Sequence, residues 1–168
     1  MAMDLQRLMS LLRQCMQRYG MVSAGDKIAV GLSGGKDSLT LLMGLKNLQR
    51  FYPVPYGLCA IHVGSGAPGS VDTVLTFRNV HNWVAAGTVQ TYFDAFFAAL
   101  KPGGTLGVVD HRAKAGTDLE TMKSSGYLTE QLVIDYATKA GFVLDARSEI
   151  NANPKDDTRH PNGVWTLP

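Results

Sequence analysis

Lys27-Ile28-Ala29-Val30-Gly31-Leu32-Ser33-Gly34-Gly35-Lys36-Asp37-Ser38-Leu39-Thr40-Leu41-Leu42 is the stretch that decides the fold. A short continuous apolar run, 27–32, entered through Gly25-Asp26, reads as a buried strand. A glycine pair follows. Leu39, Leu41, Leu42, Leu45 and Leu48 then continue as a helix to about Arg50, where Pro53 and Pro55 break it. Tyr56 to Val63 is a second apolar strand, which completes one βαβ unit. Glycine removes Cβ atoms, so backbone N–H groups at such a turn can face an anion. The start of the helix adds unpaired donors and a partial positive charge. Ser33, Gly34, Gly35, Lys36, Asp37 and Ser38 are therefore the candidate phosphate-binding residues. The serines offer hydroxyls and Lys36 a cation. Asp37 would repel phosphate unless it holds Mg²⁺ or caps the helix. The Walker pattern does not apply, because Val30 stands where its first glycine belongs and Asp37 follows the lysine.

Outward from this unit, Leu5, Leu8, Met9, Leu12, Met16 and Tyr19 give an amphipathic helix over 3–19, stopped by Gly20. Its basic outer face is read as a solvated surface, with RNA contact as the alternative. Downstream, strands are expected at 71–77, 105–110, 142–148 and 164–167. Helices are expected at about 87–100 and 127–140, and a turn at Lys101-Pro102-Gly103-Gly104. Strands alternating with helices predict an α/β fold: a three-layer, doubly wound, mainly parallel Rossmann-like sheet. The expected strand order is 2-1-3-4-6-5, the last strand antiparallel. The link between the second and third strands is only about eight residues and reaches about 26 Å, barely enough to return along a strand. A strained seam, a displaced second strand or a segment-swapped homodimer would each accommodate it.

The 168 residues suit one domain, and 45% hydrophobic content argues against disorder. Residues 1–63 hold seven Lys/Arg and three Asp/Glu, whereas 64–168 hold nine and eleven. The net charge of +2 is too small to argue for nucleic acid or membrane, and neither is expected as a partner. Two separated cysteines, Cys15 and Cys59, exclude a zinc or iron–sulfur site built on thiolates and suit a reducing, cytoplasmic compartment. No apolar run reaches the length of a membrane span.

Residues 5–63 resemble the PP-loop ATP pyrophosphatases, closest to the tRNA 2-thiocytidine synthetase branch. Gly25 to Val30, Ser33 to Ser38 and Pro53-Val54-Pro55-Tyr56 carry the likeness. It implies ATP or pyrophosphate with Mg²⁺ at Ser33–Ser38, with Asp37 on the metal. The thiolation branch also needs downstream cysteines and an RNA-binding region, and neither is found in this sequence.

From about residue 66 onward the sequence instead resembles the C-terminal half of a class I SAM-dependent methyltransferase. Val71 to Trp83, Phe96-Phe97-Ala98-Ala99-Leu100-Lys101-Pro102-Gly103-Gly104 and Val108-Val109-Asp110-His111 carry that likeness, which runs to Pro168. No SAM binding is expected. The second strand ends Ile61-His62-Val63 without a ribose-holding carboxylate, and Gly64 to Gly69 fits the dinucleotide glycine pattern only as text. Asn79, His81, Asn82 and Trp83, with His111 after the next strand, form a second candidate pocket. There His81 is a base and Trp83 a stacking surface, or all are ordinary packing. His62 and His160 have no partner evident in the sequence.

The simplest account of two resemblances in one chain is an engineered chimera: fragment 1–63, seam 64–70 and fragment 71–168 in one α/β domain. A natural recombinant is the alternative. Such a chimera would have no evolved catalytic activity and would retain a phosphate- or nucleotide-binding loop.

Overall fold

A computed structural model describes residues 5–31, 36–61 and 68–166. The chain divides into two compact units, Met1–Phe77 with Ala98–Val108 and Arg78–Phe97 with Val109–Pro168.

The first unit is built on β1 (Lys27–Gly31), β2 (Gly57–Ile61), β3 (Val71–Phe77) and β4 (Leu100–Val109), in the order β2-β1-β3-β4. β1 pairs in parallel with β2, from Lys27 beside Gly57 to Gly31 beside Ile61. It also pairs in parallel with β3, from Ile28 beside Thr73 to Val30 beside Leu75. Gly104 lies against Asp72 and Gly107 against Val74 and Leu75, so β4 advances in the same direction as β3. The architecture is α/β and Rossmann-like, as the βαβ pattern predicts. Ile28, Ala29 and Val30 are all fully buried, so β1 is covered on both faces, which is why its sequence is continuously apolar.

Two helices complete this unit. α1 (Leu5–Arg18) packs on α2 (Lys36–Leu48), and α2 lies against β1, β2 and β3. Met16, Leu41, Leu45, Leu48 and Tyr56 close a core with Ile28, Val30 and Leu75. Gly44 lets α1 approach, because a Cβ there would stand 2.7 Å from Leu12 Cδ1. The Tyr56 hydroxyl donates to the Leu45 carbonyl at 2.7 Å, and burial followed by Tyr52 pushes its pKa up to about 12.

The link from Ile61 to Val71 is short but adequate. The registers put Ile61 level with Gly31 and Val71 level with Asp26, on opposite sides of β1. The ends are then about 19 Å apart, and ten Cα steps reach about 35 Å. The 2-1-3 order needs neither a displaced strand nor a second chain. Residues 62–67 lie outside the described residues.

The second unit departs from expectation. α3 (Val80–Ala85), α4 (Val89–Ala99), α5 (Leu119–Ser125) and α6 (Glu130–Ala140) are its helices. α3 and α5 are not foreseen by the apolar periodicity. α6 starts three residues late because Thr129 caps it, its hydroxyl accepting from the Leu132 N–H at 3.3 Å. Leu128 instead forms a parallel bridge with Arg112. The expected turn at 101–104 is absorbed into β4.

Neither of the last two expected strands forms. Residues 142–148 carry no ladder. Gly141, at φ 112°, ends α6, and the Phe142 N–H turns back to the Ala137 carbonyl. The Phe142 ring then packs edge-on against Phe97 at 5.1 Å, while Arg147 is tied to Glu130 at 2.6 Å. Both contacts fix the segment beside helices rather than in a ladder. Residues 163–166 form a 3-10 turn, not a strand. Gly163 enters it at φ 62°, and Val164 alone is drawn into a cluster with Ala113 and Tyr127. The sheet therefore has four strands among the described residues, and the expected 6-5 extension is absent from them.

Candidate functional site

The first candidate site belongs at the junction of β1 and α2. β1 ends at Gly31, α2 opens at Lys36, and Lys36 and Asp37 are its first two residues. Ser33, Gly34 and Gly35 lie outside the described residues. Ser38 is fully buried within the first turn of the helix. The strand-then-helix context that a phosphate loop requires is present. Burial pushes the thiols of both Cys15 and Cys59 above their ordinary range, Lys27 partly offsetting this at Cys59. Neither is poised as a thiolate.

A cavity of about 310 Å³ opens elsewhere in the same unit, beside Ser23, Asp26, Asp72, Thr73, Lys101 and Thr105. Sequence reasoning missed it, because its walls come together only through strand register. Asp72 accepts from the Lys27 N–H at 2.8 Å and from Lys101 Nζ at 2.7 Å. The Lys101 hydrogen bond, then that of Lys27, holds the Asp72 carboxyl below its ordinary range. Asp26 accepts from the Ser23 N–H. These contacts staple strand starts together.

The second candidate set lies in the other unit. Asn79, His81 and Trp83 are 1%, 4% and 3% exposed. Trp83 stacks on Tyr92 at 4.0 Å and 8°, beside Phe96. Its ring packs within an aromatic core that includes Phe93. Asn82 instead accepts a hydrogen bond from Trp165 Nε1 at 3.2 Å.

His81 and His111 do come together, through a residue that the sequence reading did not single out. Asp110 Oδ1 lies 2.7 Å from His81 Nδ1 and accepts from the His111 N–H at 2.8 Å, while Oδ2 accepts from the His81 N–H at 3.1 Å. The side chains of His81 and Asp110 are each 5% exposed. His81 and Asp110 both follow shortly after strand ends, where open α/β sheets place functional residues, which marks each position but not their pairing. The two imidazole rings meet edge-on at 5.6 Å, and Trp165 meets His81 at 5.8 Å. Desolvation lowers the His111 pKa, aided by Arg78 and His81 and opposed by Asp110 and Asp156. The Tyr127 ring abuts His111, and its hydroxyl donates to Asp156 at 2.8 Å. Burial, then Asp156, pushes the Tyr127 pKa to about 12. His160 Nε2 lies 3.6 Å from Asp156. Among the described residues no group of three or more His, Cys, Asp or Glu is arranged to hold a metal ion. No described helix is long and apolar enough to cross a membrane.

The sequence is similar to tRNA-cytidine(32) 2-sulfurtransferases. That of Geotalea daltonii is 47% identical over 64 residues, covering 38% of this chain and 25% of the relative. That of Pelobacter propionicus is 44% identical over 112 residues, 66% of this chain and 42% of the relative. The chain thus spans about a quarter to two fifths of these relatives. The second match is longer than residues 1–63, so the likeness extends past the first fragment. No family model matches the chain.

The fold has different neighbours. A SAM-dependent methyltransferase from Aquifex aeolicus superposes with a TM-score of 0.55 at 12% identity, covering 86% of this chain and 92% of that one. The [4+2]-cyclase SpnF superposes with a TM-score of 0.52 at 14% identity, covering 78% and 56%. Sequence kinship and fold likeness point to different groups, in keeping with the two resemblances read from the sequence.

Proposed function

We propose that this chain is a chimera of a PP-loop fragment and a methyltransferase-like fragment, without an evolved catalytic activity, that binds a nucleotide or pyrophosphate with Mg²⁺ at Ser33–Ser38. The observation that carries the reading is the junction itself. Ser-Gly-Gly-Lys-Asp-Ser occupies the passage from the end of β1 at Gly31 into α2, which starts at Lys36. Backbone donors of Gly34, Gly35 and the first helical turn would hold the phosphates, Lys36 would neutralise charge and Asp37 would meet Mg²⁺. Bound ATP would supply an adenylyl group. The raised thiols of Cys15 and Cys59 favour binding without sulfur transfer. No SAM site is proposed, since the strand preceding the seam supplies no carboxylate.

Calorimetry with Mg·ATP tests this. The wild-type chain is expected to bind, Lys36→Ala to weaken binding about tenfold, and Asp37→Ala to weaken its dependence on Mg²⁺. Identical titrations for all three would remove the binding claim.

One observation favours a second reading, an ATP pyrophosphatase-type enzyme acting on tRNA: the 112-residue match extends beyond residue 63. It requires pyrophosphate release from ATP stimulated by tRNA, and a release assay decides between the readings.

A further inference from the structure

We propose that His81 and Asp110 form a carboxylate-oriented imidazole base, and that the ligand it serves is a small aromatic hydroxyl compound of the phenol class. The site is independent of the loop at Ser33–Ser38. It rests on four observations within one compact unit.

First, Asp110 grips His81 twice, at Nδ1 and at the backbone N–H. A carboxylate only accepts, so Nδ1 carries the proton and, in the neutral ring, Nε2 keeps its lone pair. Second, both side chains are 5% exposed, so the pair is held rigidly and shielded from water. Nε2 has no hydrogen-bond partner among the described residues. It is the polar atom of this ring left for a ligand.

Third, an exposed aromatic residue stands beside the base. Trp165 is 49% exposed, 5.8 Å from the His81 ring, and held there by its hydrogen bond to Asn82. A half-exposed indole anchored by its N–H suits a planar ring. Fourth, the wall behind both rings is a glycine. Gly126 sits at φ 75°, and a Cβ there would overlap Val164 and stand 3.3 Å from Trp165 and 3.5 Å from His81 Cδ2. Backbone alone fits between them.

The step is a proton transfer. The Nε2 lone pair forms a bond to the proton of the ligand hydroxyl, and the O–H electron pair stays on oxygen. The resulting imidazolium is stabilised by Asp110, which acts as a positioning residue. His111, kept toward its neutral form by desolvation, adds little opposing charge.

Diethyl pyrocarbonate, which acylates unprotonated imidazole nitrogen, is the probe, with phenol as the competing ligand and peptide mapping across His62, His81, His111 and His160. His81 is expected to be labelled, about tenfold more slowly in Asp110→Asn, and phenol to protect it. Absence of labelling at His81 while His160 reacts, or equal rates in Asp110→Asn, would overturn the base. Labelling that phenol leaves unchanged would overturn the ligand class. Should Asp110→Asn not fold, long-range ¹H–¹⁵N correlation on the wild-type chain decides the tautomer. A proton on Nδ1 with Nε2 bare is expected, and the reverse contradicts the assignment.

Discussion

The two compact units solve the same problem of covering apolar surface in different ways. In the first, aliphatic side chains pack against parallel strands, and Ile28, Ala29, Val30 and Leu45 have no exposed surface at all. In the second, Trp83, Tyr92, Phe93 and Phe96 form an aromatic cluster, α6 buries no residue fully, and residues 142–162 form neither helix nor strand. Val143 there is 89% exposed. Regular hydrogen-bonded ladders concentrate stability, while a unit of short helices spreads it over caps, ring contacts and charge pairs. The second unit holds its Asp110–His81 pair inside, each side chain 5% exposed.

Core truncation should separate the units most. Leu45→Ala, in the first, should cost about 2–5 kcal/mol, and Leu132→Ala, on half-buried α6, less than about 1.5 kcal/mol. Chemical denaturation measures both, and equal losses would dissolve the contrast. Next comes the cap. Thr129→Ala removes the acceptor for the Leu132 N–H and should cost about 1 kcal/mol, seen as a shift in midpoint at unchanged slope.

Acid should act on the second unit through His111. Desolvation depresses its folded pKa below the unfolded value, so the unfolded chain takes up the proton first. The stability contributed is complete above about pH 6.5 and is lost as pH falls through the folded pKa. His111→Gln should flatten the stability profile across that window, and an unchanged slope would place the acid sensitivity elsewhere. The smallest effect belongs to the ion pair of the first unit. Lys101→Ala, with its side chain 48% exposed, should cost less than about 1 kcal/mol, and the loss should shrink in high salt.

How much of this was legible in the sequence follows the same division. β1, α2 and β2 could be read because a doubly buried strand and a leucine-rich helix leave opposite periodicities on either side of a glycine pair. Phe142-Val143-Leu144 carries the same apolar signal as Lys27 to Leu32, yet it forms no strand. A strand needs a ladder partner, and the Phe142–Phe97 contact and the Arg147–Glu130 pair hold this segment elsewhere. Val164-Trp165 failed for a related reason: one residue is buried and the next exposed in a 3-10 turn, which imitates strand alternation. At the second site, His81 and His111 were visible as residue types. Their link through Asp110 was not, because 29 residues separate His81 from Asp110.

The most direct test of the central claim is a crystal structure of the chain soaked with Mg·ATP. The account predicts phosphate density at the start of α2, within hydrogen-bonding distance of backbone amides from Gly34 to Ser38. Nucleotide bound only elsewhere, or no nucleotide at saturating concentration, would contradict it.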